Sequence, residues 1–184
     1  MKRGFTLAEV LITLGIIGVV ASMTMPVLIG SYKKKAAVSQ LKKVYSSLLQ
    51  SVEFSKLENG DIADWNWSLG SYEFFMKYLG SNFQIVQNCG NKSDCWNTRG
   101  GYMLKGGVYD DNPLKSYWYK ILLSDGTFIE LQKQDNTHVH ITVDVNGEKA
   151  PNTYGKDIFV ITMTSQAVKD AYHNISAPGL YMYG

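Results

Sequence analysis

The stretch MKRGFTLAEVLITLGIIGVVASMTMPVLI, residues 1–29, decides how this chain is built. Two cations, Lys2 and Arg3, precede Gly4. An apolar run then extends from Phe5 to Ile29 with a single acid, Glu9, inside it. A helix rises about 1.5 Å per residue and the hydrocarbon core of a bilayer is about 30 Å thick, so the run is long enough to span with some tilt. A charged side chain at mid-membrane costs roughly 2.5–3.5 kcal/mol on the insertion scale, although Glu9 lies only a little more than one turn beyond Phe5. The acid therefore calls for a partner.

These residues resemble the amino terminus of the type IV prepilin family, which comprises type IV pilins and the pseudopilins of type II secretion and competence. The likeness is carried by Lys2-Arg3-Gly4, by Phe5-Thr6-Leu7-Ala8-Glu9, by the run from Val10 to Met25, and by Pro26. The resemblance implies that residues 1–4 are a leader, cut between Gly4 and Phe5 by an aspartyl prepilin peptidase, and that the new terminus at Phe5 is N-methylated. It implies that residues 5–29 are a transmembrane segment and later a filament core. Residues 30–184 then form an exported, pilin-like head. The partners it implies are the peptidase and N-methylase, the lipid bilayer before assembly, an inner-membrane assembly platform, and other pilins in a homo- or hetero-oligomeric filament.

Cleavage creates an α-amine on Phe5, and such amines titrate near pH 8, so it is cationic at neutral pH. In stacked subunits Glu9 of one copy neutralises the Phe5 amine of its neighbour. An unpaired charge in that setting would be heavily penalised. Two plainer readings share part of this pattern. A secretory signal peptide shares the basic start and apolar core, with Val19-Val20-Ala21 as a faint cleavage site, but such cores seldom carry an acid. An uncleaved signal anchor has no need of the Gly4-to-Glu9 pattern. Lipid attachment is excluded, because the first cysteine is Cys89.

The positive-inside rule keeps Lys2-Arg3 cytoplasmic and sends the rest across the inner membrane in a single pass. Lys33-Lys34-Lys35 opposes that assignment, and the leader motif decides. The destination implied is a cell-surface or periplasmic filament, a fimbrium of either pilus or pseudopilus type. The remaining length suits one compact domain. The formal net charge of +2 falls to zero once Lys2 and Arg3 are removed, so the sequence offers no electrostatic case for nucleic acid.

Pro26 removes a backbone donor, and Gly15 and Gly18 weaken the same span, so a kink or local loosening is expected there. In the family this region can lose helicity on packing into a pilus. Beyond Pro26, Val38, Leu41, Val44 or Tyr45, Leu48 and Val52 recur at helical spacing, predicting an amphipathic helix over 31–59 capped by Gly60. Residues 60–115 read as a variable loop region with a short helix at Ser71–Leu79 and the glycine pairs Gly100-Gly101 and Gly106-Gly107. Its aromatics, Trp65, Trp67, Tyr72, Phe74, Phe75, Tyr78 and Phe83, serve either as core or as a carbohydrate or partner surface. An antiparallel sheet is expected over 116–164. Its strands are Tyr117–Leu123, Thr127–Leu131, His138–Val145 and Asp157–Thr162, with a hairpin at Ser124-Asp125-Gly126. A carboxy-terminal tail follows. The expected fold is α+β: a pilin-like lollipop with a long amino-terminal helix, hydrophobic then amphipathic, packed on a sheet of three or four antiparallel strands.

Cys89 and Cys95 would close a small loop. In an exported domain a disulfide is the favoured reading, with a free pair as the alternative. Asp144-Val-Asn146-Gly147-Glu148, continuing to Asp157, resembles a loop that recurs in bacterial prepilin-like proteins. It offers oxygen ligands for Ca²⁺ at Asp144, Asn146 and Asp157, but the EF-hand spacing fails. The alternative is a turn in which Asp144 and Asn146 bond nearby amides. His138 and His140 share a strand face with no third ligand in view. No phosphate loop, serine elbow or paired-carboxylate constellation is present, and neither an enzyme nor a cofactor is expected. The function expected is a structural subunit of a type IV pilus or type II secretion pseudopilus. A minor or tip subunit that binds a surface, DNA or a secretion substrate is the alternative.

Overall fold

The apolar run at the amino terminus is long enough for a helix of many turns, and helix α1 runs from Leu7 to Asn59. The computed structural model describes residues 4–90, 118–133, 135–147, 149–169, 174–175 and 177–182. Lys2, Arg3, Cys95, Tyr117, Glu148 and both glycine pairs of the 60–115 region lie outside the described residues. The chain divides into two compact units, Met1–Val38 and Ser39–Gly184. Within the first unit the helix continues through Gly15, Gly18 and Pro26 without a break.

In the second unit α1 buries Leu41, Val44, Leu48, Ser51, Val52 and Ser55. These positions step by three and four, so they form one stripe, as the sequence pattern requires. Val38 departs from that pattern: it is 40% exposed and belongs to the first unit, one turn before the stripe begins. The helix stops where predicted. Gly60 takes φ +79°, a left-handed conformation that costs a residue without a Cβ little, and its N–H donates to Lys56 O at 3.0 Å.

Trp65, Trp67, Phe74, Phe75 and Tyr78 of the aromatic segment are core, while Tyr72 is exposed. Helix α2, Ser71–Tyr78, buries Phe74, Phe75 and Tyr78. Trp65 stacks on Tyr78 with ring centroids 4.3 Å apart, and Trp67 and Phe74 lie 4.9 Å apart. Both indole N–H groups are satisfied, Trp65 by Gly60 O at 2.8 Å and Trp67 by Ile62 O at 2.9 Å.

The sheet is larger than the three or four strands expected. It has six antiparallel strands in the order β1-β2-β3-β4-β5-β8. They are β1 (Ile85–Gly90), β2 (Tyr119–Leu123), β3 (Phe128–Lys133), β4 (His138–Asp144), β5 (Ile158–Thr164) and β8 (Gly179–Met182). A separate two-stranded ribbon pairs β6 (Val168–Lys169) with β7 (Asn174–Ile175). The four central strands are those read from the sequence, and the two extra ones are the edges. Strand β1 lies inside the stretch read as loop, and its pairing with β2 slips twice, between Ile85 and Gln87 and between Asn88 and Gly90. A bulged, mostly exposed edge shows no period-two alternation. Strand β8 is a short segment of the expected tail, paired with β5 from Ile161↔Met182 to Thr164↔Gly179.

Register assigns the faces. Ile121, Ile129, Val143 and Phe159 line up across one face, with Tyr119, Leu131, Ile141 and Ile161 in the adjoining row. The opposite face carries Lys120, Glu130 and Thr142 in register, all buried. At the β2–β3 turn Gly126 takes φ +84° and donates to Leu123 O at 3.0 Å, closing the predicted hairpin.

Candidate functional site

The site expected from the sequence is the amino terminus, and its geometry there is local and specific. Phe5 is 90% exposed and Leu7 79%, and the apolar side chains from Val10 to Ile29 all stand clear of the chain's own packing. Among the described residues α1 is the helix long and apolar enough to cross a membrane, by length and composition. The hydroxyls within this run bond back onto the helix: Thr13 to Val10 O at 2.9 Å, Ser22 to Val19 O at 2.7 Å, Thr24 to Val20 O at 3.0 Å and Ser31 to Leu28 O at 2.9 Å. Their polarity is thus absorbed internally, which leaves Glu9 as the outstanding group.

Glu9 has a role that the reading of a lone buried acid overlooked. Thr6 N–H and Thr6 Oγ1 each donate to Glu9 Oε2 at 2.8 Å, and Glu9 N–H donates back to Thr6 Oγ1 at 3.3 Å. This is a capping box, with Thr6 as the N-cap and Glu9 three residues on, satisfying two of the helix's orphan donors. The signal, Thr6-Leu7-Ala8-Glu9, was in the sequence. Every donor to this carboxylate is neutral, and among the described residues no ion pair includes Glu9. Oε2 is thus held by Thr6, and the countercharge to Glu9 is not among the described residues.

Nothing lies within 4 Å of a Cβ built at Gly15 or Gly18. The isolated chain does not demand glycine at either position.

Ser39 onward is tied to the sheet through Asp125 in the β2–β3 turn. Gln40 Nε2 and Lys43 Nζ donate to Asp125 Oδ2 at 2.7 and 2.6 Å, Gln40 Nε2 also reaches Thr127 Oγ1 at 2.9 Å, and Thr127 N–H donates to Asp125 Oδ1 at 3.1 Å. Burial pushes this carboxyl up, but the hydrogen bonds from Lys43, Thr127 and Gln40 outweigh it and hold the group at about 2. The sequence marked Asp125 only as a turn residue.

The structure brings Asp144, Asn146 and Asp157 together. Asp144 Oδ1 accepts from Asn146 N–H at 3.1 Å and Gly147 N–H at 3.0 Å. Asp157 accepts from Asn146 Nδ2 at 3.1 Å, Asn152 N–H at 2.9 Å and Thr153 N–H at 2.6 Å. Both carboxylates are 3% exposed. Burial lifts the Asp144 carboxyl to about 7, opposed by the amide of Asn146, raised further by the charge of Asp157, and opposed again by the amide of Gly147. These bonds are those of a turn, with Asp157 the main organiser, since it accepts from Asn146, Asn152 and Thr153. Two carboxylates and an amide are the oxygen donors present here for a hard cation, and both carboxylates are engaged by N–H groups.

His138 Nδ1 lies 3.1 Å from Asp135 Oδ1, and the His138 and His140 rings are 5.6 Å apart. Among the described residues no group of three or more histidine, cysteine or acidic side chains converges in a way that would hold a metal ion. Cys89 is 3% exposed in β1 and is not a free thiol. Its expected partner, Cys95, falls outside the described residues.

Comparison with known proteins divides the chain at almost the same place as its chemistry. Residues 1–25 match a family model described as the prokaryotic N-terminal methylation motif, and residues 27–180 match that of a family of unknown function (DUF6613). No curated protein and no solved structure matches the chain.

Proposed function

We propose, for a chain that belongs to the family of unknown function DUF6613 and opens with the methylation motif of type IV prepilin-like precursors, a role as a structural filament subunit. In this reading residues 1–4 are removed after Gly4, the Phe5 amine is methylated, and residues 5–29 hold the subunit in the inner membrane with the head exported. Assembly with other pilins then buries those residues in a type IV pilus or a type II secretion-type pseudopilus. The Cys89–Cys95 disulfide belongs to the exported state. No catalytic step is assigned to any residue.

One observation carries the proposal: a capped helix whose first turn holds a hydrogen-bonded carboxylate with no ion-pair partner among the described residues, beside an apolar surface left bare. Cleavage supplies the missing cation at Phe5, four residues away. Because the neutral donors of Thr6 already hold Glu9 in the precursor, the acid is oriented before its charged partner exists. In the filament the amine of a neighbouring copy completes it, and bringing both charges out of water is tolerable only as a pair.

Mass spectrometry of the mature protein tests the processing step. The account expects a chain that begins at Phe5 and carries one added methyl group. A mature terminus elsewhere, at Met1 or beyond Ala21, would rule it out.

A further inference from the structure

Residues 32–35, Tyr-Lys-Lys-Lys, follow the apolar run by three to six positions, and none of the four is drawn into the chain's own packing. Tyr32 is 73% exposed. The helix is continuous here, so the lysines stand at a fixed distance from Ile29, about 6–9 Å along the axis. That is the depth of the polar headgroup layer, about 5–8 Å on each side of the hydrocarbon core. Successive helical residues point about 100° apart, so Tyr32, Lys33, Lys34 and Lys35 surround the helix as a collar. A stripe on one side would fit a protein partner approaching from that side, whereas a collar fits a plane that the helix pierces.

The charges are not neutralised from within the helix. No acid occurs between Val10 and Val52, while Lys33, Lys34, Lys35, Lys42 and Lys43 all fall in that interval. Among the described residues only Lys43 of these five has an ion-pair partner, Asp125 at 2.6 Å, and it lies two turns farther on. The lysines also sit on the side of the span where the positive-inside rule disfavours them, so their presence calls for a compensating anion.

We propose that Tyr32 and Lys33–Lys35 form a headgroup collar that binds anionic phospholipid on the exported face of the membrane and retains the unassembled subunit there. The proposal rests on residues 5–29 being a membrane span. Tyr32 places its ring at the interface, as aromatic anchors do, and the lysines reach phosphate oxygens through flexible stems. Each lysine near an anionic surface favours binding by about fivefold, an effect that salt screens. Departure into a filament must break these contacts, so lipid charge sets part of the cost of leaving the bilayer.

The test uses the full-length chain and its K33Q/K34Q/K35Q variant. Both are reconstituted into vesicles of phosphatidylcholine alone or with an equal amount of phosphatidylglycerol of the same acyl chains, washed at alkaline pH, then taken into detergent for native mass spectrometry of retained lipid. The expected result is that both proteins resist the wash, that the wild type retains phosphatidylglycerol over phosphatidylcholine, and that the variant loses that preference by tenfold or more. Equal retention of the two lipids by the wild type, or an undiminished preference in the variant, overturns the collar while leaving the span intact. Release of the wild type from both vesicle types by the wash overturns the span and the collar together.

Discussion

At the residue scale, Gly147 combines a left-handed backbone with a close backbone neighbour. Its φ is +66°, and a Cβ there would stand 2.8 Å from Gly126 O and 3.3 Å from the Phe128 ring. Backbone strain and a clash with a carbonyl act together, so Gly147→Ala should cost about 2 kcal/mol or more, read as a lower midpoint in thermal unfolding of the full chain in detergent. A midpoint within a degree of wild type would contradict the tight crossing of the two turns. Ser51 has the opposite sign. It is fully buried on α1, and its hydroxyl has no hydrogen-bond partner among the described residues. Ser51→Ala removes an unsatisfied polar group and improves helix propensity, so the same melt should rise, by about 1 kcal/mol of added stability.

At the scale of elements, the link between α1 and the β2–β3 turn depends on the ionised form of Asp125. Its folded value of about 2 lies below the ordinary 3.8, so the carboxylate stabilises the native state above about pH 4 and that contribution disappears as pH falls toward 2. Asp125→Asn should cost about 1–2 kcal/mol at pH 7, allowing for the exposure of Lys43, and the difference from wild type should shrink steadily as pH falls from about 4 through about 2. A difference that stays constant with pH would mean that geometry, and not charge, holds the turn.

Helix α1, its glycine cap, α2 and strands β2 to β5 were legible in the sequence because each has a period or a turn signal that one buried face enforces. The edges were not. Strand β1 contributes Ile85, Val86, Gln87 and Asn88 at a bulged, exposed margin, where neither alternation nor burial constrains residue type. Strand β8 is four residues long and depends on its pairing with β5. Val38 fits the helical period and still lies outside the stripe, because periodicity fixes a direction around the helix but not where packing starts along it. The Asp125 link was invisible for a related reason: it joins Gln40 and Lys43 to a residue more than 80 positions away. At the amino terminus the charge problem of Glu9 was legible, while its capping role was missed because the acid was read against the membrane and not against Thr6.

At the scale of the whole molecule, the two matched regions divide the work. In the proposed function the segment that matches the methylation motif is the part processed and inserted, and the region that matches DUF6613 is the exported head. Glu9 links the two stages of the proposed life of the chain, first as a helix cap in the precursor and then as half of an intersubunit ion pair. These roles separate chemically. Glutamine at this position can still accept from Thr6 N–H, since a capping box takes either residue, but it carries no charge. The most direct measurement is the amount of Glu9→Gln subunit in sheared filaments relative to the processed subunit in the membrane. The account predicts normal insertion, cleavage after Gly4 and helix content, with incorporation into filaments reduced at least tenfold. Filaments containing Glu9→Gln at the wild-type level would contradict it.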